Sequence, residues 1–206
     1  MKRFVVAGIG TNVGKTIVSA VLTEAFSAVY WKPVQAGDLE QSDSVKVRNL
    51  CGPQCSVLDE RFRLNTPASP HLAAELDGLM ITAADFELPV ITDANMVIET
   101  AGGLMVPLND DGLLYIDILE QWQLPVFLVS RHYLGSINHT LLSVYALKQR
   151  NIPLAGLIIS GDRHAPSERV YRQHFPDLHL SFIPELTVIS PETISQSAAQ
   201  WTNQAG

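Results

Sequence analysis

Gly8-Ile9-Gly10-Thr11-Asn12-Val13-Gly14-Lys15-Thr16 follows the apolar run Arg3-Phe4-Val5-Val6-Ala7 and precedes a stretch of helical periodicity. Strand, glycine-rich turn and a helix opening on Gly-Lys-Thr form the context that a phosphate-binding loop requires. Successive backbone amides in such a turn, here those around Asn12, Val13 and Gly14, converge on phosphate oxygens, and the helix N-terminus adds partial positive charge. Lys15 supplies an ammonium for the β- and γ-phosphates and Thr16 a hydroxyl for Mg2+. Five residues rather than four separate Gly8 from Gly14, with Ile9 where the first glycine usually stands. A nucleoside triphosphate site is the expectation.

The chain has 206 residues, 47% of them hydrophobic and 17% charged, which suits one compact domain over residues 1–206 with a sizeable core. A formal net charge of −7 argues against a nucleic-acid partner, which wants a basic face. No apolar run is long enough to cross a bilayer, so no membrane association is expected. The start, Met1 to Ala7, resembles a secretion signal only until its apolar part runs into the loop, and a cytoplasmic location follows. Cys51 and Cys55 are the only cysteines, with no second Cys or His pair to complete a zinc site. They read as reduced thiols near a helix end.

Strands and helices alternate. Val18, Val21, Leu22 and Ala25 give the first helix a buried stripe, and Val29-Tyr30-Trp31 forms a second strand stopped by Lys32-Pro33. A helix is predicted from Asp43 to Leu50, capped by Ser42 and ended by Gly52. Residues 56–95 suggest a strand near Val57–Phe62, a helix over Ser69–Glu75 and another near Ala83. A third strand, Met96-Val97-Ile98, ends at Glu99. Helices over Leu114–Trp122, Ile137–Lys148 and Pro166–His174 separate strands at Pro125–Val129, Leu154–Ile159 and Leu180–Ile183. Apolar strands between helices predict an α/β fold, a doubly wound, mostly parallel sheet with helices on both faces.

Ligands in such sheets bind beyond the carboxyl ends of strands. Lys32 stands at one such end, and Pro33 holds it extended, fixing where its ammonium emerges. Glu99 stands at another, followed by Thr100-Ala101-Gly102-Gly103, and an acidic residue there commonly completes a Mg2+-nucleotide site. Asp43 is either a further ligand or a helix-capping residue. His71 and His139 read as structural hydrogen-bonding residues rather than catalysts.

These strings, with Lys32-Pro33-Val34, Ser42-Asp43, Pro67-Ala68-Ser69-Pro70-His71 and Leu134-Gly135-Ser136-Ile137-Asn138-His139, resemble in order and over most of the chain the dethiobiotin synthetase family. The long phosphate loop is that family's own variant. The resemblance implies a P-loop NTPase-like fold and a ligase that uses ATP to join CO2 to 7,8-diaminononanoate and close the ureido ring. It implies Lys15 and Lys32 as catalytic, and Thr16, Asp43 and Glu99 as Mg2+ ligands. Nucleotide would also meet Asn12, Val13, Gly14, Thr100, Ala101, Gly102, Ser160, Gly161, Pro184, Glu185 and Leu186. Substrate would meet Thr11, Lys32 and Ala36, with its carboxylate received by Gly135, Ser136, Ile137 and Asn138 across a homodimer interface.

Several positions depart from the family pattern. Gly10 and Asn12 stand where some relatives carry acidic residues, Ala36 replaces a hydroxyl residue, and Thr100 replaces a glycine. Ser160 stands where an asparagine often reads the base, which predicts looser base selectivity. A ParA/MinD-like ATPase switch is the alternative, but Ala7, Gly8 and Ile9 fill the stretch where its extra lysine would stand. An amidoligase of the cobyrinic acid diamide synthase type would need a glutamine-hydrolysing domain, for which 206 residues leave no room.

Overall fold

A computed structural model of the chain describes residues 1–52 and 55–205. Among these described residues, eight strands and seven α-helices run in the order β1 (Arg3–Gly8), α1 (Lys15–Ala25), β2 (Ala28–Trp31), β3 (Val34–Ala36), α2 (Asp43–Cys51), β4 (Phe62–Leu64), α3 (Pro70–Leu76) and β5 (Asn95–Gly103). They continue with α4 (Tyr115–Trp122), β6 (Val126–Ser130), α5 (Ser136–Gln149), β7 (Leu154–Ser160), α6 (Ala165–His174), β8 (Leu180–Ile183) and α7 (Pro191–Ala205). A six-stranded sheet has the order β2-β5-β1-β6-β7-β8, and all its pairings are parallel.

From β1 the chain crosses to β2 at one edge, whereas from β5 it steps through β6 and β7 to β8 at the other. Right-handed crossovers in opposite directions put their helices on opposite faces. Accordingly α1, α2 and α7 pack on one another, while α5 packs on α6 and against β6 and β7. Strands covered on both faces must be apolar throughout, and Val5, Val6, Ala7, Val97, Ile98, Leu128 and Val129 are fully buried. The direction of winding reverses around β1, so the loops after β1 and β5 flank the crevice where ligands of such sheets bind.

Four features differ from expectation. Val57 makes only an isolated bridge to Tyr30, and the strand lies later, at Phe62–Leu64. There it pairs with Val34–Ala36 in a small second sheet, because Pro33 turns the chain away from β2. β5 does not stop at Glu99 but runs on to Gly103, its register against β1 slipping between Val6 and Gly8. The segment near Ala83 forms a single 3-10 turn, Ala83–Phe86. Helix α7 was not foreseen, although Ile194, Ala198 and Trp201 lie on one helical stripe and are buried.

Trp201 fastens α7 to the sheet. Its ring stands edge-on to Phe26 and Phe127, with centroids 5.5 and 5.6 Å away, and its indole N–H donates to Ser181 Oγ at 3.0 Å. Truncating a buried tryptophan removes both contact area and a hydrogen bond, so we predict that Trp201→Ala lowers stability by about 3–5 kcal/mol in urea unfolding. A loss under about 1 kcal/mol would show that α7 contributes little to the fold.

Candidate active site

Gly14 opens α1 in the left-handed region, with φ of 93°, where side chains are strained. A Cβ there would also fall 2.2 Å from Ser160 Oγ, so the loop backbone rests directly on the end of β7. No side chain caps α1, which leaves its first amides free for an anion. Lys15 folds back over the loop and its ammonium donates to the Gly10 carbonyl at 2.8 Å.

Glu99 lies at the centre of the site and is 1% exposed. Its Oε1 accepts from Thr16 Oγ1 and from Lys32 Nζ, both at 3.2 Å, and its Oε2 accepts from the Tyr30 hydroxyl at 2.9 Å. Lys32 also pairs with Asp43 Oδ2, so one ammonium bridges two carboxylates. The Ser42 hydroxyl accepts the Val45 amide at 3.3 Å and caps α2, which frees the Asp43 carboxylate to face Lys32 instead. Gln35 Oε1 accepts the Asp43 amide at 3.2 Å, and Lys46 donates to Asp43 Oδ1 at 3.2 Å.

The two lysines carry opposite electrostatic signatures. Burial pulls the Lys15 ammonium down to about 8, Glu99 and Asp43 offsetting only part of that effect. Burial opposes the charge of Lys32 as well, but Glu99 and Asp43 outweigh it and hold its pKa above the ordinary lysine value. Asp43 is partly desolvated, yet Lys32 and then Lys46 keep its carboxyl below the usual range. Lys15 is thus a cation short of counter-charge, whereas Lys32 is saturated with it.

A cleft of about 1010 Å³ opens over this constellation. Thr11, Asn12, Gly14, Lys15, Thr16, Lys32, Ala36, Asp43, Glu99, Ala101 and Gly102 line it. Val13 is buried beneath the loop. Thr100 is buried one residue along from Glu99, where strand alternation turns it to the other face, and its hydroxyl finds no partner among the described residues. Ser160 ends β7 and Gly161 follows it, and Pro184, Glu185 and Leu186 follow β8, beside the cleft rather than in its wall. Gly135, Ser136, Ile137 and Asn138 start α5 and lie outside this chain's own cleft. His139 Nδ1 pairs with the Tyr133 hydroxyl at 2.7 Å, as a structural histidine should, but the buried Nδ1 of His71 has no partner.

Tyr30, Gln35, Lys46 and Arg131 went unnoticed in the sequence. Arg131 directly follows the apolar strand β6, lines the cleft, and reaches Glu185 at 2.7 Å. Tyr30 precedes Lys32 by two residues in an extended segment, and that spacing could have signalled a shared face. Among the described residues no three His, Cys, Asp or Glu gather as a metal cage. Thr16, Asp43 and Glu99 nevertheless give two carboxylates and a hydroxyl within one hydrogen-bonded cluster. Mg2+ shared with phosphates and water needs only one or two carboxylates, so this donor set fits it.

A family model described as an AAA domain matches residues 2–193. An ATP-dependent dethiobiotin synthetase of Afipia carboxidovorans is 48% identical over 193 residues, covering 93% of this chain and 91% of the relative. One from Christiangramia forsetii is 52% identical over 173 residues, or 84% and 82% of the two chains. The chain belongs to the ATP-dependent dethiobiotin synthetase family. Dethiobiotin synthetases are ligases, and the P-loop site accords with their dependence on ATP. Two solved structures share the fold at much lower identity. A plasmid partition protein of Borrelia burgdorferi bound to AMPPNP superposes with a TM-score of 0.57 at 10% identity, covering 98% of each chain. The MinC:MinD cell division complex of Aquifex aeolicus gives 0.55 at 11% identity, covering 100% of this chain and 94% of the other. At that identity the likeness establishes a P-loop NTPase-like fold alone.

We predict from the depressed Lys15 that nucleotide affinity depends on pH. Only the charged ammonium attracts phosphate, and in the free protein it discharges as pH rises through about 8. Binding restores the charge, so ADP should bind more weakly above about pH 8 with net proton uptake in calorimetry. An affinity that stays flat between about pH 7 and about pH 9 would contradict the assignment.

Proposed function

We propose that this chain carboxylates 7,8-diaminononanoate with CO2 and closes the product to dethiobiotin, converting ATP to ADP and phosphate. The observation that carries the proposal is the meeting of the phosphate loop with Lys32, Asp43 and Glu99 in the lining of one cleft. One substrate amine attacks CO2, forming a C–N bond and releasing a proton, to give a carbamate. A carbamate oxygen then attacks the γ-phosphorus and ADP leaves, producing a carbamic-phosphoric anhydride. The second amine attacks the carbonyl carbon, phosphate departs with the amine proton, and the ring closes.

Each anionic species in this sequence would come within reach of a lysine. Lys15 lies over the loop and serves the β- and γ-phosphates, while Lys32 faces the cleft interior and serves the carbamate. Thr16, Asp43 and Glu99 are the proposed ligands of Mg2+, which supplies charge neutralisation on the phosphates when bound. The nucleotide would run over Asn12, Val13 and Gly14 towards Ser160, Gly161 and the Pro184-Glu185-Leu186 segment. Thr11 and Ala36, in the cleft wall, fall to the substrate side.

The substrate carboxylate is assigned to the turn Gly135 to Asn138 of a neighbouring copy, making the working form a homodimer. The free amides at the start of α5 suit a carboxylate. Tyr133, Leu134, Leu142 and Tyr145, in and beside α5, are exposed apolar residues that a second copy would cover. Among the described residues no helix is long and apolar enough to cross a membrane; we assign the reaction to the cytoplasm.

ADP release measured with and without the diamine and bicarbonate tests the proposal. Turnover should require both, whereas a nucleotide switch would hydrolyse ATP at the same rate without either. Two substitutions separate the lysines. Lys15→Ala should weaken ADP binding as well as turnover. Lys32→Ala should keep ADP binding yet lose about 10²–10³ in turnover, and near-normal turnover in that variant would refute its role.

A further inference from the structure

Glu99 has two oxygens, and the fold divides them between two tasks. Oε1 faces Thr16 and Lys32, towards the cleft, while Oε2 is taken by the Tyr30 hydroxyl at 2.9 Å. The pairing follows from sheet register. Tyr30 lies opposite Val97 where β2 meets β5, and Glu99 stands two residues beyond Val97, on the same face. An aromatic side chain spans that diagonal. Tyr30 is itself anchored: it is fully buried, its amide donates to the Ser56 carbonyl and its carbonyl accepts from Leu58.

We propose that Tyr30 is a positioning residue that fixes the rotation of Glu99, presenting Oε1 alone to the metal and so favouring Mg2+ over Ca2+. The terminal torsion of a glutamate is soft, and an unpinned carboxylate samples orientations that offer one oxygen or both. Mg2+ demands near-octahedral order from few protein ligands, whereas Ca2+ accepts six to eight oxygens and bidentate carboxylates. A carboxylate whose second oxygen is already bonded serves the first and penalises the second. The inference rests on Glu99 being a metal ligand, as in the proposed function.

The test is metal binding to the protein–ADP complex, read without turnover. Mn2+ is followed by electron paramagnetic resonance and displaced by Mg2+ or Ca2+. Tyr30→Phe keeps the ring and removes only the hydroxyl. It should weaken Mn2+ about tenfold or more, the scale of one hydrogen bond to a charged group. It should also narrow the Mg2+ over Ca2+ preference, with ADP affinity in EDTA unchanged. A lower unfolding midpoint with unchanged Mn2+ affinity would leave Tyr30 a packing residue and overturn the proposal. Wild-type protein gives an independent arm, because equal displacement of Mn2+ by Mg2+ and Ca2+ would overturn it without any variant. Glu99→Gln separates the two levels. If it leaves Mn2+ affinity unchanged, the metal assignment of Glu99 fails; if it weakens Mn2+ while Tyr30→Phe does not, only the role of Tyr30 fails.

Discussion

The carboxylate of Glu99, buried to 1% exposure, is the constraint on which the site is built. An unpaired charge in that position would be prohibitively costly, so the surrounding elements must bring donors to it. Thr16 comes from the first turn of α1, Tyr30 from β2, and Lys32 from just beyond β2. Each of these reaches Glu99 only if β5 lies between β1 and β2, as the sheet order has it. The same acid therefore fixes the phosphate loop, the edge strand and the cleft lysine relative to one another. Removing a single partner would leave charge uncompensated, which is the costly way to disturb such a cluster.

Lys32 and Lys15 show how two identical side chains in one cleft come to differ. Lys32 is held by Asp43 and Glu99 and keeps its charge despite burial. Lys15 has a carbonyl as its hydrogen-bond partner and is pulled down to about 8. The phosphates of a nucleotide bound in the loop would supply the counter-charge that Lys15 lacks, so binding and protonation would reinforce each other. Lys32 already pairs with two carboxylates, so a nucleotide would add little to its counter-charge.

The parts legible in the sequence were those with strong local signals. The phosphate loop carries its own strand, turn and helix start, and the buried parallel strands read as apolar runs because both faces are covered. Ser42 and Gly52 marked the ends of α2 as the structure has them. Features set by long-range pairing were not legible. The small sheet of β3 and β4 joins Val34–Ala36 to Phe62–Leu64 across a separation that no local pattern reports. The continuation of β5 past Glu99 depends on a register slip against β1. Tyr30 looked like an ordinary core aromatic, since its value lies in the hydroxyl and not in the ring. The stripe of α7, by contrast, is a local signal, carried by Ile194, Ala198 and Trp201 at helical spacing.

The central claim is that ATP here activates a carbamate made from CO2, and isotope transfer tests it most directly. Freshly dissolved CO2 labelled with 13C and 18O is supplied with ATP and 7,8-diaminononanoate, and both products are weighed by mass spectrometry. If a carbamate oxygen attacks the γ-phosphorus, the ureido product carries the 13C and the released phosphate carries an 18O from CO2. Phosphate free of 18O, with ATP consumed regardless of the diamine, would contradict the account.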